Sequence, residues 1–237
     1  MPVYQLSEDL IFPPPYLASN SGLLAVGGDL GCKRLLLAYS MGIFPWYSAG
    51  EPILWWSPNP RLVLYPNEFK VSRSLKKVIK KRIFRITMDR AFDDVITECA
   101  QVRLENREGT WIVDEMARAY GSLHASGFAH SVEAWVDESL AGGLYGVSLG
   151  RCFFGESMFT RITNASKVAL AALVAYLQAR NFAFIDCQIA TEHLISFGAR
   201  EISRARYLKE LAGALKYPTL QGKWAFPSHD VDSQNPD

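Results

Sequence analysis

Between Ser131 and Ile189 the apolar positions change period twice. They alternate over Ser131–Val136, Leu140–Val147 and Cys152–Phe159, then recur every three or four residues at Leu170, Leu173, Val174 and Leu177, then cluster again over Phe182–Ile189. Alternation is the mark of a strand with one buried face, and the longer period that of a helix with a buried stripe. The segment therefore predicts three strands, a helix over Ser166–Arg180 and a further strand. Earlier in the chain, FPPP at Phe12–Pro15 predicts an extended lead-in, GLLAVGGDL at Gly22–Leu30 a strand and turn, and Lys33–Met41 a helix capped by Asp29 and ended by Gly42. Arg61–Tyr65 and Phe84–Met88 read as strands. Helices are expected from Ser72 through Lys81, over Ala91–Ala100 and over Val113–Ser126, with a charged loop at Gln101–Gly109. Thr191–Phe197 reads as a short helix closed by Gly198, and Tyr207–Leu215 as the last helix.

This order predicts an α+β fold. A small N-terminal domain is expected over 1–60 and a larger one over 61–237, with a disordered polar tail at 228–237. The strand-strand-helix-strand order within the larger part is also that of acetyltransferase-like (GNAT-like) cores.

Two strands carry polar groups among apolar ones. Residues i and i+2 of a strand share a face. The rule sets Asp186 beside Gln188, beyond Phe182 and Phe184, and sets Glu156 beside Phe154 and Met158. A carboxylate on an otherwise apolar face must find a partner or line a cleft. Convergent polar groups beside apolar walls are a common form of reaction centre.

Composition narrows the classes. In 237 residues with 49% apolar content a sizeable core can form, and the formal charge of +1 argues against a protein that binds nucleic acid through its overall charge. The charge is nevertheless uneven: Lys70–Arg85 holds eight Lys and Arg, among them Arg73, Lys76, Lys77, Lys80, Lys81 and Arg82, and no acid. Such a run suits phosphate contacts. Trp46, Tyr47, Trp55, Trp56 and Trp111 are candidates for core or for stacking on a base. The four cysteines and four histidines lack metal-ligand spacing, so no metal is expected. Gly27–Gly31 fits no nucleotide-binding loop, and the turn TRITNA before the helix at Ser166 lacks a Gly-rich pyrophosphate cradle, so no cofactor is expected. No secretory signal and no apolar run long enough for a bilayer are seen, and a soluble cytoplasmic protein is expected.

The stretches GLLAVGGDL, GIFPWY, PILWWSPNPR, SRSLKK, REGTWI, AHSVEAW, GGLYGVSLG, GESMF, NASKVAL, FIDCQ and HLISFGA follow one another along nearly the whole chain. Together they resemble the bacterial leucyl/phenylalanyl-tRNA–protein transferases. The resemblance implies an N-terminal domain joined to an acetyltransferase-like domain. It implies transfer of Leu or Phe, and less well Met, from tRNA to proteins with N-terminal Arg or Lys, creating a degradation signal. It places Asp186 and Gln188 near the reacting ester and Glu156 near the aminoacyl amine. Phe153, Met158, Leu170, Leu173 and Ile185 then form the side-chain pocket, and Trp46 and Trp111 lie near the terminal adenosine. On this reading Asp186 accepts or orients the amine proton, with Gln188 keeping the pair aligned. A cell-wall aminoacyl-tRNA transferase of related fold and a non-enzymatic RNA-binding protein are the alternatives.

Overall fold

The structure is a computed structural model that describes residues 3–105 and 112–226. Two sheets meet between Trp56 and Arg61. The first is built from β1 (Tyr4–Leu6), β2 (Leu23–Gly27), β3 (Phe44–Pro45) and β4 (Leu54–Trp56) in the order β1-β2-β4-β3, with α1 (Cys32–Ser40) between β2 and β3. The second begins at β5 (Arg61–Leu64) and continues with β6 (Arg85–Met88), β7 (Ala129–Val136), β8 (Ser139–Leu149), β9 (Cys152–Thr160), β10 (Phe184–Gln188) and β11 (Arg200–Ile202). Its seven strands run β11-β5-β10-β9-β8-β7-β6. The helices are α2 (Arg73–Lys80), α3 (Phe92–Glu105), α4 (Asp114–Ala125), α5 (Ala165–Ala179), α6 (Glu192–Ser196) and α7 (Arg204–Ala214).

The larger sheet is covered on both faces, and strand parity decides which residue meets which layer. Val63, Tyr145, Val147, Cys152, Phe154 and Phe184 share a core with residues of α1, α3, α4 and α7. Their strand neighbours Leu62, Leu64, Leu144, Phe153 and Ile185 pack instead with α2 and α5. The Ala-rich sequence of α5 follows from this. Its Leu170, Leu173, Val174 and Leu177 are all buried against the sheet.

The expected helices and the longer strands are present. Two expectations change, and four short strands are not foreseen. Helix α3 runs on to Glu105 through part of the stretch expected as a loop, because Arg161 at the end of β9 binds Glu98 at 2.6 Å and also pairs with Glu105. Asp29 does not cap α1. Its carboxylate accepts from Gly31 N at 2.7 Å and from the buried Arg34 Nε at 2.8 Å, and Gly31 holds the cap position. Strands β1, β3, β4 and β11, two or three residues each, are too short for a period to show. The tail expected at 228–237 lies outside the described residues.

Among the described residues, β9 and β10 form the one parallel pair of the larger sheet, joined through α5. They pair only from Cys152–Phe154 to Phe184–Asp186 and then part. A crevice at the carboxyl ends of parallel strands is where open sheets bind ligands. Each strand carries a bulge at the point of parting. On β9 the partners of Tyr145 and Gly146 are Ser157 and Gly155, so Glu156 is the extra residue. On β10 the partners of Val63 and Leu62 are Asp186 and Gln188, so Cys187 is the extra residue. Bulges re-aim side chains and recur beside active sites.

The bulge on β9 draws its backbone onto β8, and Gly146 makes room. A Cβ there would collide with the Phe154 carbonyl oxygen and the Phe153 ring. Gly146→Ala is expected to destabilise by about 1–3 kcal/mol in urea unfolding, through overpacking. Gly213→Ala, in α7 with open space around it, is the control and should gain up to about 1 kcal/mol. Equal stability of the two variants would remove the close approach from the account of the fold.

Candidate active site

The parted strands open a cavity of about 800 Å³. Phe153, Met158, Leu170, Leu173 and Ile185, the expected side-chain pocket, all line it, as do Trp46, Glu156 and Gln188. Phe153 and Met158 reach the same wall although one is odd-numbered and the other even, because the bulge at Glu156 reverses parity between them. For the same reason Glu156 and Met158 do not share a face, contrary to the i, i+2 rule. Met158 packs toward α5, while Glu156 points the other way to Tyr39 of α1 and Tyr120 of α4.

Glu156 is the polar centre. Its Oε1 accepts from Tyr39 OH at 2.7 Å and from Gln188 Nε2 at 3.0 Å, and its Oε2 accepts from Tyr120 OH at 2.9 Å. The two tyrosine hydroxyls also touch each other. When the carboxyl is ionised, the two hydroxyl hydrogens must serve three contacts. A proton on Glu156 closes a ring in which each tyrosine hydroxyl donates once and accepts once, while the carboxyl donates from one oxygen and accepts at the other. Burial pushes the Glu156 carboxyl up to about 7, against the tyrosine and Gln188 hydrogen bonds, which pull it down. Burial pushes both phenols up as well, which keeps them protonated donors. The site therefore has an acid–base group poised at neutrality, where such a group exchanges protons best.

Asp186 is placed otherwise than expected. It is wholly buried and does not line the cavity. Arg61 Nε donates to Oδ1 at 2.8 Å and Arg61 Nη2 to Oδ2 at 2.7 Å. Tyr207 OH adds a bond to Oδ2 at 2.8 Å, and Gln188 N one to Oδ1 at 2.9 Å. Four donors occupy a carboxylate with about four acceptor positions. Of the two roles expected for Asp186, accepting the amine proton and orienting, this geometry suits only the second. Burial pulls the Arg61 pKa down, and the Asp186 charge more than restores it. The Asp186 bond to Gln188 N holds a left-handed backbone at Gln188, with φ of 62°. That turn, together with the bulge, sends the Gln188 amide to Glu156 instead of leaving it beside the Asp186 carboxylate.

Sequence reasoning does not find Arg61, Tyr39, Tyr120 or Tyr207. One signal is available: each carries a polar tip on a stretch that reads as buried, and such a tip needs a partner. Ser72 caps α2 by accepting from Leu75 N at 3.1 Å, and Arg73, Lys76, Lys77, Lys80, Lys81 and Arg82 are exposed along its length and at its end. None of the six lines the cavity. Trp111 lies outside the described residues. Among the described residues no group of His, Cys, Asp and Glu is arranged to hold a metal, and no helix is long and apolar enough to cross a membrane.

The family model described as leucyl/phenylalanyl-tRNA protein transferase matches residues 63–212, and the model of that family's N-terminal domain matches residues 28–59. The chain belongs to this family. It is thereby an enzyme, an aminoacyl-tRNA protein transferase. The leucyl/phenylalanyl-tRNA–protein transferase of Desulfatibacillum aliphaticivorans is 61% identical over 97% of this chain and 99% of its own length. That of Syntrophobacter fumaroxidans is 62% identical over 90% of this chain and 91% of its own. Among solved structures, L-PGS from Bacillus licheniformis aligns at 12% identity over 89% of this chain and 70% of that chain, with a TM-score of 0.38. That likeness is too distant to bear on the site.

Removing one partner of a buried ion pair leaves the other charge uncompensated. Asp186→Ala is therefore expected to cost about 3–5 kcal/mol in urea unfolding. A cost below roughly 1 kcal/mol, the range of surface ion pairs, would mean that Arg61 finds other compensation and that the pair does not hold β5 to β10.

Proposed function

We propose that the protein transfers Leu or Phe, and less well Met, from tRNA to the N-terminal Arg or Lys of acceptor proteins, with Glu156 as the proton-handling group. The observation that carries this reading is a carboxyl poised near 7 in the wall of a cavity whose other wall is apolar. The donor ester is already activated, so the enzyme has mainly to position it and to move protons.

The aminoacyl side chain occupies the pocket of Phe153, Met158, Leu170, Leu173 and Ile185, and its ester lies at Glu156 and Gln188. The acceptor amine attacks the ester carbonyl carbon. A C–N bond forms and the bond to the ribose oxygen breaks. The amine proton passes to Glu156, where the tyrosine ring accommodates it, and a proton returns to the departing ribose oxygen. Gln188 keeps the Glu156 carboxylate aimed, and Asp186, fixed by Arg61, keeps Gln188 in its left-handed turn. Trp46 stands where it can meet the terminal adenosine. The exposed cations of α2 suit the tRNA backbone. The pocket favours side chains unbranched at Cβ and rejects Ile and Val, whose Cβ branch is stiff, and charged groups, which cannot be desolvated there.

Transfer of labelled Leu from tRNA to a peptide beginning with Arg tests the reading directly. A pure RNA-binding protein would bind the tRNA and transfer nothing. Only ionised Glu156 accepts a proton, so the rate should rise as pH climbs through about 7 and then level. Glu156→Gln should lower turnover by about 10²–10⁴-fold and remove that rise. A variant that keeps the wild-type pH profile would take Glu156 out of the chemistry.

Neutralising Lys76, Lys77, Lys80 and Lys81 together should weaken tRNA binding and flatten its dependence on salt. For every phosphate that a lysine no longer neutralises, the log–log slope should fall by somewhat under about one unit. An unchanged slope would leave α2 as a solvated face and move the tRNA elsewhere.

A further inference from the structure

The apolar pocket and the Glu156 centre use only part of the cavity. Its wall under α3 is chemically different. Tyr145 of β8 and Ser157 of β9 are direct cross-strand partners, and both line the cavity. Tyr145 is wholly buried, and neither its hydroxyl nor that of Ser157 makes a hydrogen bond of normal geometry. The Cys99 thiol comes close to Ser157, but a thiol is a weak partner. A buried hydroxyl left unpaired costs free energy unless something supplies a partner.

Arg103 completes the wall. It lies one helical turn beyond Cys99 on α3, on the same face of the helix, and both residues line the cavity. Arg103 makes no ion pair among the described residues. The neighbouring acids on its helix, Glu98 and Glu105, are both taken by Arg161. Burial raises the Tyr145 phenol, Glu156 raises it further, and Arg103 acts the other way, so the phenol feels both charges. The wall thus begins beside the Glu156 centre and ends at a half-buried guanidinium that has no ion pair among the described residues.

Two hydroxyls and one guanidinium, without hydrogen-bond or ion-pair partners among the described residues, are donors that an oxyanion would satisfy. A guanidinium fork fits phosphate oxygens well. We infer that Tyr145, Ser157 and Arg103 form a subsite for the phosphodiester that follows the esterified terminal nucleoside of the donor, so that the enzyme grips the first backbone phosphate inside the cavity. The inference rests on aminoacyl-tRNA being the donor. It gives the cavity three compartments in the order of the ligand's own parts: amino-acid side chain under α5, ester at Glu156, phosphate under α3. Helix α2 then meets more distant phosphates, and its contribution is separable.

Two small donors differing by that phosphate test the subsite: phenylalanyl-adenosine, and a cytidylyl-adenosine dinucleotide carrying phenylalanine. The readout is the ratio of kcat/KM for the dinucleotide to that for the nucleoside, with a fixed Arg-initiated peptide as acceptor. Removing one charged hydrogen bond should lower the ratio by about tenfold or more in Arg103→Gln, and less in Ser157→Ala. Arg103→Lys should recover part of it. A helix weakened as a whole would lower both rates together and leave the ratio unchanged, which would overturn the subsite. A raised KM for the acceptor peptide with an unchanged ratio would overturn it too, in favour of an acceptor-binding wall. Failure of the wild type to transfer phenylalanine to the peptide from the dinucleotide or from charged tRNA would overturn the functional reading itself, and the subsite with it.

Discussion

Arg61 and Asp186 meet out of water at the point where β10 leaves β9. Each is almost without exposure, at 1% and 0%. Desolvating two ions costs several kcal/mol each, and the cost is offset only where geometry and further hydrogen bonds are good. Here they are. The guanidinium binds both carboxylate oxygens, lies over the rings of Phe44 and Tyr207, and reaches the Gly42 carbonyl at 3.3 Å. One pair therefore joins β5, β10, α7 and the segment that leads into β3 of the smaller sheet. Its consequence for the site is indirect. A residue other than glycine in the left-handed region is strained by about 1–2 kcal/mol, and Gln188 is held there by the Asp186 carboxylate at 2.9 Å. The direction of the Gln188 amide, and through it the aim of Glu156, depends on an ion pair that never faces the cavity.

The Glu156 carboxyl is set by opposing effects, of which burial is the largest. Burial alone would leave Glu156 neutral, and the phenols and amide around it would alone leave it ionised. With the nearby Asp186 charge, which also raises it, the balance lies near 7. The ring with Tyr39 and Tyr120 adds a specific reason for the balance, since a third hydrogen completes contacts that two cannot. Tyr39 comes from α1, between strands of the first sheet, and Tyr120 from α4 on the second. The centre is therefore complete only when the two sheets are packed together.

Much of this is legible in the sequence, and the failures have two physical origins. Period identifies α5 and its buried stripe, and the five pocket residues do line one cavity. Motif resemblance points to Glu156 and Gln188, which do meet. Parity fails twice. It puts Glu156 with Met158 and Asp186 with Gln188, and both pairs are separated by a bulge. Counting by twos assumes an unbroken ladder, and the ladder breaks at the site. Tyr39, Tyr120, Tyr207 and Arg61 are missed for another reason: a polar tip on a buried stretch signals a need for a partner, but they come from other elements, and no local pattern says which distant hydroxyl or guanidinium a carboxylate will meet.

The bulge does leave one local trace. In GGLYGVSLG, Gly146 stands in the interior of a buried strand, where a glycine weakens pairing and contributes no side chain to the core. A regular ladder has no need of it. A bulged partner does, because the extra residue on β9 drives the Phe154 carbonyl and the Phe153 ring into the space a Cβ would fill. The same displacement that demands glycine on β8 lifts Glu156 out of the alternation and turns Met158 back onto the wall of Phe153. The acidic centre and the apolar pocket are thus two results of one inserted residue, and the glycine opposite is what the sequence shows of it.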